Sequence, residues 1–462
     1  MYLKELQLKN FRNYSDISLK FDRNAALFFG DNAQGKTNLL ESISYISSGK
    51  SHRVTNQDDL IGWGCEFALI RAQVNGHLIE LELRPGNILK IKVDKAYCRK
   101  KADFTSILPS VIFTPEDLKI IKDGPSNRRD LLDNILESIY PDFNSLKTQY
   151  QKILNQRNSL IKSIAGAEFN RSFKVRRSDE SGRDNTDSRI DIANSSKKYS
   201  GVDEGRRSYE GESSDEESRS GKGNRGSAGT EETNNPTLSA WDENLAKYGS
   251  EIIKKRHDLV NRIGPDFSRL MRKFFPEIEA GIFYIYSWNR KSVELVSSES
   301  DISDACADLS LPCGKLPQTV PPIEEIKQCF LSMLKQNLKK ELSYKTTITG
   351  PHRDDFIILL NGKDIRSFGS QGQQRISAIS LRLCEIEVIR EILKKDPVLL
   401  LDDILSELDF TREKIVLNLI KDKYQTFITT SNINYVSHIK EIEKDKIQEL
   451  IVKDNSICEV KK

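Results

Sequence analysis

The sequence predicts an α/β protein in which both ends of the chain form one core, with a helical hairpin as a second lobe. Three observations predict this fold. Short apolar strand patterns alternate with helical patterns in the first and last thirds of the 462-residue chain. Turn signals at Asn75-Gly76 and at Pro85-Gly86 separate three strand-like runs, which predicts an antiparallel meander. Two long helical patterns flank a polar stretch, so strands from both sides of that stretch must share the core.

Residues 1–137 are predicted to form the N-terminal part of the core. The run ISLKF (17–21) alternates like a half-buried strand, and AALFF (25–29) is apolar throughout, like a strand covered on both faces. A glycine-rich loop follows, and then a helical pattern with its apolar residues on one face. The predicted meander strands are ALIRAQV, HLIELEL and ILKIKV.

Residues 346–462 are predicted to complete the core. The runs TTITG, FIILL and DIRSF are predicted strands, and a helix is predicted from about Gln371 to Leu393. PVLLL and TFITT are predicted to be buried strands. Together these elements predict the α/β class with a mixed sheet.

The lobe between the two parts of the core is predicted to be helical. Residues 138–177 form its first half and 236–345 its second, and their apolar stripes predict an antiparallel hairpin. Residues 178–235 contain few large apolar side chains, so burial cannot offset the entropy of ordering them and the segment is predicted to be disordered. A second loose stretch covers about 297–322.

The composition indicates the cellular compartment but does not identify a binding partner. The formal charge is +3, because 71 Lys and Arg nearly cancel 68 Asp and Glu, so any basic surface must be local. Seven scattered cysteines without a C-x-x-C pair indicate reduced, mostly buried thiols. The sequence shows neither a signal-peptide pattern nor an apolar run of membrane-spanning length, so we expect a soluble, cytoplasmic protein.

The glycine-rich loop fits a phosphate-binding motif. Gly30, Gly35, Lys36 and Thr37 match G-x-x-x-x-G-K-[ST] between a buried strand and an amphipathic helix. Glycines let backbone N–H groups close around phosphate oxygens, the lysine meets the β- and γ-phosphates, and the threonine hydroxyl ligates Mg²⁺. We therefore expect a nucleoside triphosphate there rather than an ordinary glycine-rich turn. Its candidate binding residues are Gly30, Asp31, Asn32, Ala33, Gln34, Gly35, Lys36, Thr37 and Asn38.

The run VLLLDDILSELD supplies the carboxylates that such a loop needs. A phosphate-binding loop requires a carboxylate at the end of a neighbouring strand to hold the metal. Asp402 ends the predicted strand and is the candidate Mg²⁺ ligand with Thr37, and Asp403 is the candidate that orients the attacking water. The alternative is that the two acids only cap a helix. With Lys36, they are candidate catalytic residues.

A third motif, SQGQQ, begins the predicted helix 371–393. Ser370 and Gly372 stand at its N-terminus, where free N–H groups and the helix dipole make an anion site. Alone, the motif equally fits a plain N-cap. In this order, with paired acids and SELD after it, the motif resembles the ABC ATPase signature and D-loop. That resemblance implies that Ser370, a further catalytic candidate, reaches the γ-phosphate held by a second protomer. It also adds Gly372, Gln373 and Asp409 to the candidate nucleotide contacts.

Longer runs carry a more specific resemblance. LKNFRNY, GDNAQGKTNLLE, FTPEDLKIIKDGPSNRRDLLD, QRNSLI, TGPHRDDF, GSQGQQR and LLLDDILSELD together are similar to the RecF family of recombination mediators, over about residues 1–165 and 236–455. The resemblance implies an ABC-type P-loop ATPase head related to those of SMC and Rad50 proteins, with a short hairpin instead of long coiled coils. It implies ATP with Mg²⁺, an ATP-dependent homodimer, and binding to duplex DNA and to junctions of single- and double-stranded DNA. It further implies partnership with RecO and RecR in loading RecA at gaps.

Departures from the usual ABC pattern predict slow hydrolysis. Asp403 replaces the usual glutamate, FITTSN offers Thr429, Thr430 and Ser431 instead of a histidine, and no glutamine stands near TPEDL. A shorter carboxylate holds water less well, so we expect ATP to act as a clamp and its cleavage as a timer.

Basic residues outside these motifs are candidates for phosphate or DNA contacts. Arg12 in NFRNY is a candidate nucleotide contact, and an exposed strand charge explains it equally. The run KKRH (254–257) is predicted to be a solvated helix face. Four further residues have ion pairs with nearby carboxylates as their alternative. They are Arg128, Arg129, His352 and Arg353.

Other functions stay open from the sequence alone. A nuclease of the overcoming-lysogenization type joins a similar ATPase to a cleavage domain with clustered acids for two metals. Other SMC- or Rad50-like DNA-associated ATPases share the head. A transporter subunit is disfavoured by NFRNY and by the split core. Retention on gapped DNA without strand cleavage would favour the mediator.

Overall fold

The computed structural model describes residues 3–86, 89–98, 102–105, 107–180, 236–288, 320–421, 423–431 and 447–460. The strands in these ranges are β1 (Leu3–Phe11), β2 (Tyr14–Lys20), β3 (Ala25–Phe29), β4 (Ala68–Val74), β5 (His77–Leu83), β6 (Lys90–Val93), β7 (Ala96–Tyr97), β8 (Ser110–Phe113), β9 (Ala280–Ile285), β10 (Asp355–Leu360), β11 (Lys363–Asp364), β12 (Val398–Asp402), β13 (Thr426–Thr430), β14 (Ile447–Lys453) and β15 (Ser456–Glu459). The helices are α1 (Lys36–Ser48), α2 (Ala102–Thr105), α3 (Leu118–Lys122), α4 (Pro125–Ile139), α5 (Phe143–Glu180), α6 (Pro236–Phe274), α7 (Ile323–Tyr344), α8 (Ile365–Phe368), α9 (Gln371–Leu393) and α10 (Phe410–Ile420).

The central sheet contains strands from both ends of the chain. Its order is β15-β14-β3-β13-β12-β8, and every pair is parallel except the β14–β15 hairpin. Strand β3, from the N-terminal part, pairs on both sides with strands from the C-terminal part. Because the carboxyl ends of parallel strands meet at one edge, the segments that follow β3, β8, β12 and β13 lie together. The predicted α/β core shared by both ends is confirmed.

The second sheet is the predicted antiparallel meander. Its order is β2-β1-β4-β5-β6-β7. In β4 every second residue from Ala68 to Val74 is buried, as expected of a strand with one face on the core. The turn between β4 and β5 places Asn75 and Gly76 at φ angles of 50° and 91°, the left-handed conformation that two-residue hairpins favour.

The helical lobe is built around α5, α6 and α7. Tyr150 of α5 lies beside Gly249 of α6, whereas Arg157, two turns further along α5, bonds to Asp242, two turns earlier on α6. The two helices are therefore antiparallel, which confirms the predicted hairpin. A Cβ on Gly249 would lie 2.6 Å from the Phe330 ring of α7, so this glycine lets the three helices approach closely. A small antiparallel sheet, β11-β10-β9, completes the described part.

Two predicted strands of the C-terminal part are wrong. TTITG (346–350) is a loop, because the backbone N–H groups of Thr347 and Ile348 donate to side chains of the helical lobe rather than to a strand. In DIRSF only Asp364 belongs to a strand, and the remaining residues form α8. The Asp364 carboxylate accepts from the Arg366 N–H at 2.9 Å and caps that helix.

The predicted solvated face at KKRH is also wrong. Arg256 and His257 are buried, and Arg256 forms a two-pronged ion pair with Asp133 at 2.8 and 3.0 Å. A run of charges looks the same in sequence whether its partners come from solvent or from another helix. The described cysteines are likewise less buried than predicted. Cys384 is buried, Cys65, Cys98 and Cys329 are half-buried, and Cys458 is exposed.

Some predictions concern residues outside the described part. Of the segment 178–235, only residues 178–180 are described, and they are the end of α5. Of the stretch 297–322, only residues 320–322 are described. None of the described helices is long and apolar enough to cross a membrane.

Candidate nucleotide-binding site

The glycine-rich loop lies between β3 and α1, at the carboxyl edge of the central sheet. Gly30 and Gly35 have φ angles of 155° and 102°, which strongly favour glycine. A Cβ on Gly30 would collide with the Val452 carbonyl of β14, and one on Gly35 would lie 2.5 Å from Asn13 Nδ2. Between them, Asp31, Asn32 and Ala33 are exposed. The two glycines are therefore required by the loop backbone and by its close neighbours.

Lys36 begins α1 and folds back over the loop. Its Nζ donates to the carbonyl oxygens of Gly30 and Asp31, both at 2.7 Å. Burial lowers the pKa of Lys36, although the carboxylates of Asp403, Asp402 and Asp31 act in the opposite direction. The ammonium is therefore held at the loop, beside two acids from the other end of the chain, where it can meet the phosphates of a nucleotide.

Asp402 is joined to the loop by a hydrogen bond. The Thr37 hydroxyl donates to Asp402 Oδ1 at 3.0 Å, and the Thr429 hydroxyl donates to the same oxygen at 2.7 Å. Burial raises the pKa of the Asp402 carboxyl, against the effect of these two bonds. A threonine hydroxyl and a single carboxylate suit Mg²⁺, which binds through one or two carboxylates together with substrate phosphates and water. Thr37 and Asp402, the predicted metal ligands, are thus brought together.

The sequence predicts that Asp402 lies on a strand next to β3. In the structure its strand, β12, is not the direct neighbour of β3. Strand β13 lies between them, and its Thr429 pairs in register with Asp402 on one side and with Phe28 on the other. Thr429 therefore performs a structural task that the sequence did not reveal. The available signal was the polar pair Thr429-Thr430 at the end of a run that is otherwise suited to a buried strand.

Asp403 adopts a strained backbone conformation beside Asp402. Its φ of 52° lies in the left-handed region, which a non-glycine residue occupies at some cost. Its N–H donates to the Thr429 hydroxyl at 3.0 Å and is also within 3.2 Å of the Thr429 carbonyl oxygen. Its Oδ1 is buried and has no hydrogen-bond partner among the described residues. That oxygen can accept a hydrogen bond from a water molecule in the site.

The predicted signature residues lie at the exposed start of α9. The Ser370 hydroxyl accepts from the Gln373 N–H at 3.3 Å, and Gln373 Oε1 accepts from the Ser370 N–H at 2.8 Å, which forms a capping box. Gly372 packs on Arg412, which bonds to Asp409 at 2.7 Å. No hydrogen bond within the described ranges connects Ser370, Gly372, Gln373 or Asp409 to the glycine-rich loop. These residues therefore form a second cluster, apart from the first.

Arg12 and Asn38 belong to a polar network around α1. The Arg12 guanidinium bonds to both oxygens of Glu41, at 2.9 and 2.8 Å, and to the Asp59 carbonyl oxygen. These bonds hold the pKa of Glu41 below its usual value despite burial. Asn38 donates to Asn13 at 2.8 Å. A phosphate contact by Arg12 stays a prediction.

The C-terminal hairpin also touches the loop, which the sequence did not indicate. The N–H of Asp454, in the turn between β14 and β15, donates to Gln34 Oε1 at 2.7 Å. Asn13 bonds to Asn455 of the same turn. The loop is therefore clasped between α1 and a hairpin from the other end of the chain.

Three of the four other basic candidates form hydrogen bonds within the protein. Arg128 is buried and bonds to both oxygens of Asp355, at 2.7 and 3.0 Å. Arg129 donates to the Asp354 carbonyl oxygen at 2.9 Å. The Tyr150 hydroxyl donates to His352 Nδ1 at 2.7 Å, and burial lowers the pKa of His352 to about 4. For these residues internal bonding is the better interpretation, whereas Arg353 is exposed.

A parallel sheet of this order, with a phosphate loop, a strand-end aspartate joined to it and a helix-capping Ser-x-Gly-x-Gln segment, defines an ABC-type P-loop ATPase head. The family model described as "RecF/RecN/SMC N terminal domain" matches residues 2–449. The chain belongs to the RecF family.

Curated relatives agree along the whole chain. A "DNA replication and repair protein RecF" of Clostridium botulinum (strain ATCC 19397 / Type A) is 32% identical over 464 residues, covering 100% of both chains. The protein of that name from Natranaerobius thermophilus is 31% identical over 439 residues, covering 94% of this chain and 92% of the relative. A solved "recombination mediator protein RecF-ATP in RecFOR pathway" is similar at a TM-score of 0.71 and 28% identity, covering 100% of this chain and 98% of that one.

Proposed function

We propose that this chain is an ATP-dependent DNA-binding protein of recombinational repair and replication restart. The observation that carries the proposal is the hydrogen bond between Thr37 and Asp402, which joins the phosphate loop to the strand-end acid. The names of the relatives support it, since they are DNA replication and repair proteins and a similar solved structure is titled as an ATP complex in the RecFOR pathway.

ATP with Mg²⁺ is the proposed cofactor. Backbone N–H groups of residues 30–37 would hold the phosphates, and Lys36 would leave the loop carbonyls to meet the β- and γ-phosphates. Thr37 and Asp402 would hold Mg²⁺, which neutralises charge that develops on the phosphates. Asp403 would orient water through its unpaired oxygen. Because an aspartate reaches less far than the usual glutamate, we expect turnover below the typical enzyme value of about 10 per second.

The second cluster explains why we propose a homodimer. Ser370, Gly372 and Gln373 present an exposed helix N-terminus, which attracts anions. This cluster has no bond to the loop of its own chain, so we propose that it meets the γ-phosphate bound by a second copy. Asp409 and Arg412 lie beside it and would border the same contact.

The proposed DNA substrates are duplexes and junctions of single- and double-stranded DNA. The proposed partners are RecR and RecO, with RecA loading at single-stranded gaps as the outcome. ATP then acts as a clamp that holds the dimer on DNA, and slow hydrolysis releases it.

Light scattering with ATP, ADP and a non-hydrolysable ATP analogue tests the proposal. We expect the analogue to double the mass of the wild type. Ser370→Arg should abolish pairing, because a bulky side chain would fill the helix N-terminus that is proposed to meet the γ-phosphate of the second copy. Each monomer should still bind ATP. Ser367→Arg, an exposed change three residues earlier, is the matched control and should pair normally. Lys36→Ala should remove ATP binding itself. A wild type that stays monomeric when saturated with analogue contradicts the proposed dimer.

A further inference from the structure

The C-terminal half of α7 and the loop after it carry a group of exposed basic side chains that we name the basic strip. Its members are Lys335, Lys339, Lys340, Lys345 and Arg353. The strip has five positive charges, in a chain whose formal charge is +3.

Three members of the strip lie on the exposed side of α7. The buried residues Phe330, Leu334 and Glu341 fix the inner side of α7. At 100° per residue, Lys339 lies opposite these buried residues, whereas Lys335 and Lys340 lie on the two flanks of the exposed side; side chains four apart are separated by about 6 Å. Lys345 ends the helix in the left-handed conformation, at a φ of 56°.

Arg353 extends the strip beyond the end of α7. It borders a surface pocket of about 420 Å³ together with Tyr344, Thr346, Ser287 and Ile348. Tyr344 is 68% exposed, so its hydroxyl and ring are available to a partner. The pocket thus connects the last turn of α7 to the guanidinium of Arg353.

The cations of the strip are not neutralised within the described part of the chain. None of the five side chains forms a hydrogen bond or an ion pair with another described residue. Glu341 is the only acid between 335 and 353, and it is buried and bonded to Arg157 at 2.7 Å. Asp242 interacts electrostatically with Lys335, but its carboxylate already accepts a hydrogen bond from Arg157 at 2.6 Å.

Several other surface cations of this protein are paired with acids. Lys50 pairs with Glu137, Lys327, at the other end of α7, with Glu243, and Arg262 with Glu391. Holding five like charges close together without counterions disfavours the free protein, and an anionic partner relieves that repulsion.

We propose that the basic strip contacts the phosphate backbone of duplex DNA. The proposal rests on the proposed function, because it assigns the surface that holds the DNA. A duplex offers one negative charge per about 3.4 Å along each strand, a regular array that suits a row of ammonium groups on a rigid helix. Such contacts fix the position of the protein on DNA without reading the sequence.

The test compares two triple variants that lose the same charge. In the strip variant, Lys335→Gln, Lys339→Gln and Lys340→Gln are combined; glutamine keeps a similar helix propensity. In the control, Lys4→Gln, Lys9→Gln and Lys20→Gln remove three exposed lysines from β1 and β2. Anisotropy of a labelled blunt duplex is measured with the ATP analogue at several salt concentrations.

We expect the strip variant to bind duplex DNA more weakly. The slope of log K against log salt should become less steep by about 2 to 3, because each phosphate contact contributes about 0.9 to its magnitude. The control should keep the wild-type slope. Arg353→Gln alone should lower the slope by about 1.

Two results would overturn the assignment. One is a strip variant that binds duplex as the wild type does, which leaves the proposed function standing and moves the DNA to another surface. The other is an equal loss in both triple variants, since net charge alone would then explain the effect. A wild type that binds no duplex at all contradicts the proposed function together with this inference, and the variants are then not needed to decide.

Discussion

At the residue scale, Thr429 holds the two acids of the site in a fixed relation. Its hydroxyl donates to Asp402 at 2.7 Å and accepts from the Asp403 N–H at 3.0 Å. The first bond orients the proposed metal ligand, and the second supports the left-handed backbone of Asp403. If Thr37 turns its hydroxyl to the metal, Thr429 keeps its own bond to Asp402. One buried hydroxyl therefore bonds both to the carboxylate of Asp402 and to the backbone of Asp403.

We predict that Thr429→Val lowers the hydrolysis rate at least tenfold, because a hydrogen bond to a charged group contributes about 1.5 to 3 kcal/mol. The Mg²⁺ concentration for half-maximal activity should rise, whereas ATP binding without metal should stay within twofold. Thr429→Ser retains the hydroxyl and should restore most of the rate.

Thr426→Val is the matched control for that prediction. Thr426 is buried on the same strand, but its hydroxyl bonds to the Tyr424 carbonyl oxygen at the far end. The Thr426→Val variant should hydrolyse ATP at the wild-type rate. Wild-type metal dependence in Thr429→Val would show that the hydroxyl positions nothing.

Asp354 should make stability depend on pH. Burial raises its pKa to about 6, and Tyr284 and Ser287 donate to it at 2.6 and 2.7 Å. The unfolded value is about 3.9, so the folded state binds the proton more tightly. The contribution of protonated Asp354 to the free energy of unfolding is therefore complete below pH of about 4 and is lost as the pH rises through about 6.

We therefore predict that Asp354→Asn gains stability relative to the wild type as the pH rises from about 4 to 7, by up to about 3 kcal/mol. Urea unfolding at each pH measures the difference. Parallel curves for Asp354→Asn and the wild type would rule out this titration as the source.

At the scale of elements, the C-terminal hairpin and the phosphate loop depend on each other. The Val452 carbonyl of β14 occupies the space where a side chain at Gly30 would begin, and the hairpin turn bonds to Gln34. The Gly30 position therefore has no room for a side chain while β14 pairs with β3. A larger residue at Gly30 would push the hairpin away.

We predict that Gly30→Ala lowers ATP affinity at least a hundredfold and destabilises the fold by more than about 2 kcal/mol, because strain adds to the collision. Gly86→Ala is the control. Gly86 also has a positive φ, 65°, but nothing lies within 4 Å of its added Cβ. Gly86→Ala should cost about 1 kcal/mol, because a Cβ is disfavoured in the left-handed conformation, and should leave ATP binding intact. Equal effects of the two changes, in calorimetric titration and urea unfolding, would contradict the role of the hairpin.

At the scale of the whole molecule, motif chemistry was predictable and long-range placement was not. That Gly30, Lys36, Thr37 and Asp402 meet at one place was predictable, because the motifs for phosphate and metal binding use those residue types at that spacing. That β13 separates β3 from β12 could not be read, because strand order follows from packing between distant segments rather than from local pattern.

The same distinction explains the errors. Arg256 looks like a surface charge until Asp133 is brought against it from another helix. The strand prediction for DIRSF failed at the residue that caps a short helix, Asp364. The start of α9 was predictable to the residue, since Ser370 and Gln373 are both local to it.

The shared central sheet has a consequence for the order in which the protein is made. Strand β3 lies between β13 and β14, which leave the ribosome roughly 400 residues after it. At a synthesis rate of about 5 to 20 residues per second, some 20 to 80 seconds pass between the synthesis of this apolar five-residue strand and that of its two neighbours. Newly made chains should therefore be most prone to aggregate, and most dependent on chaperones, during that interval.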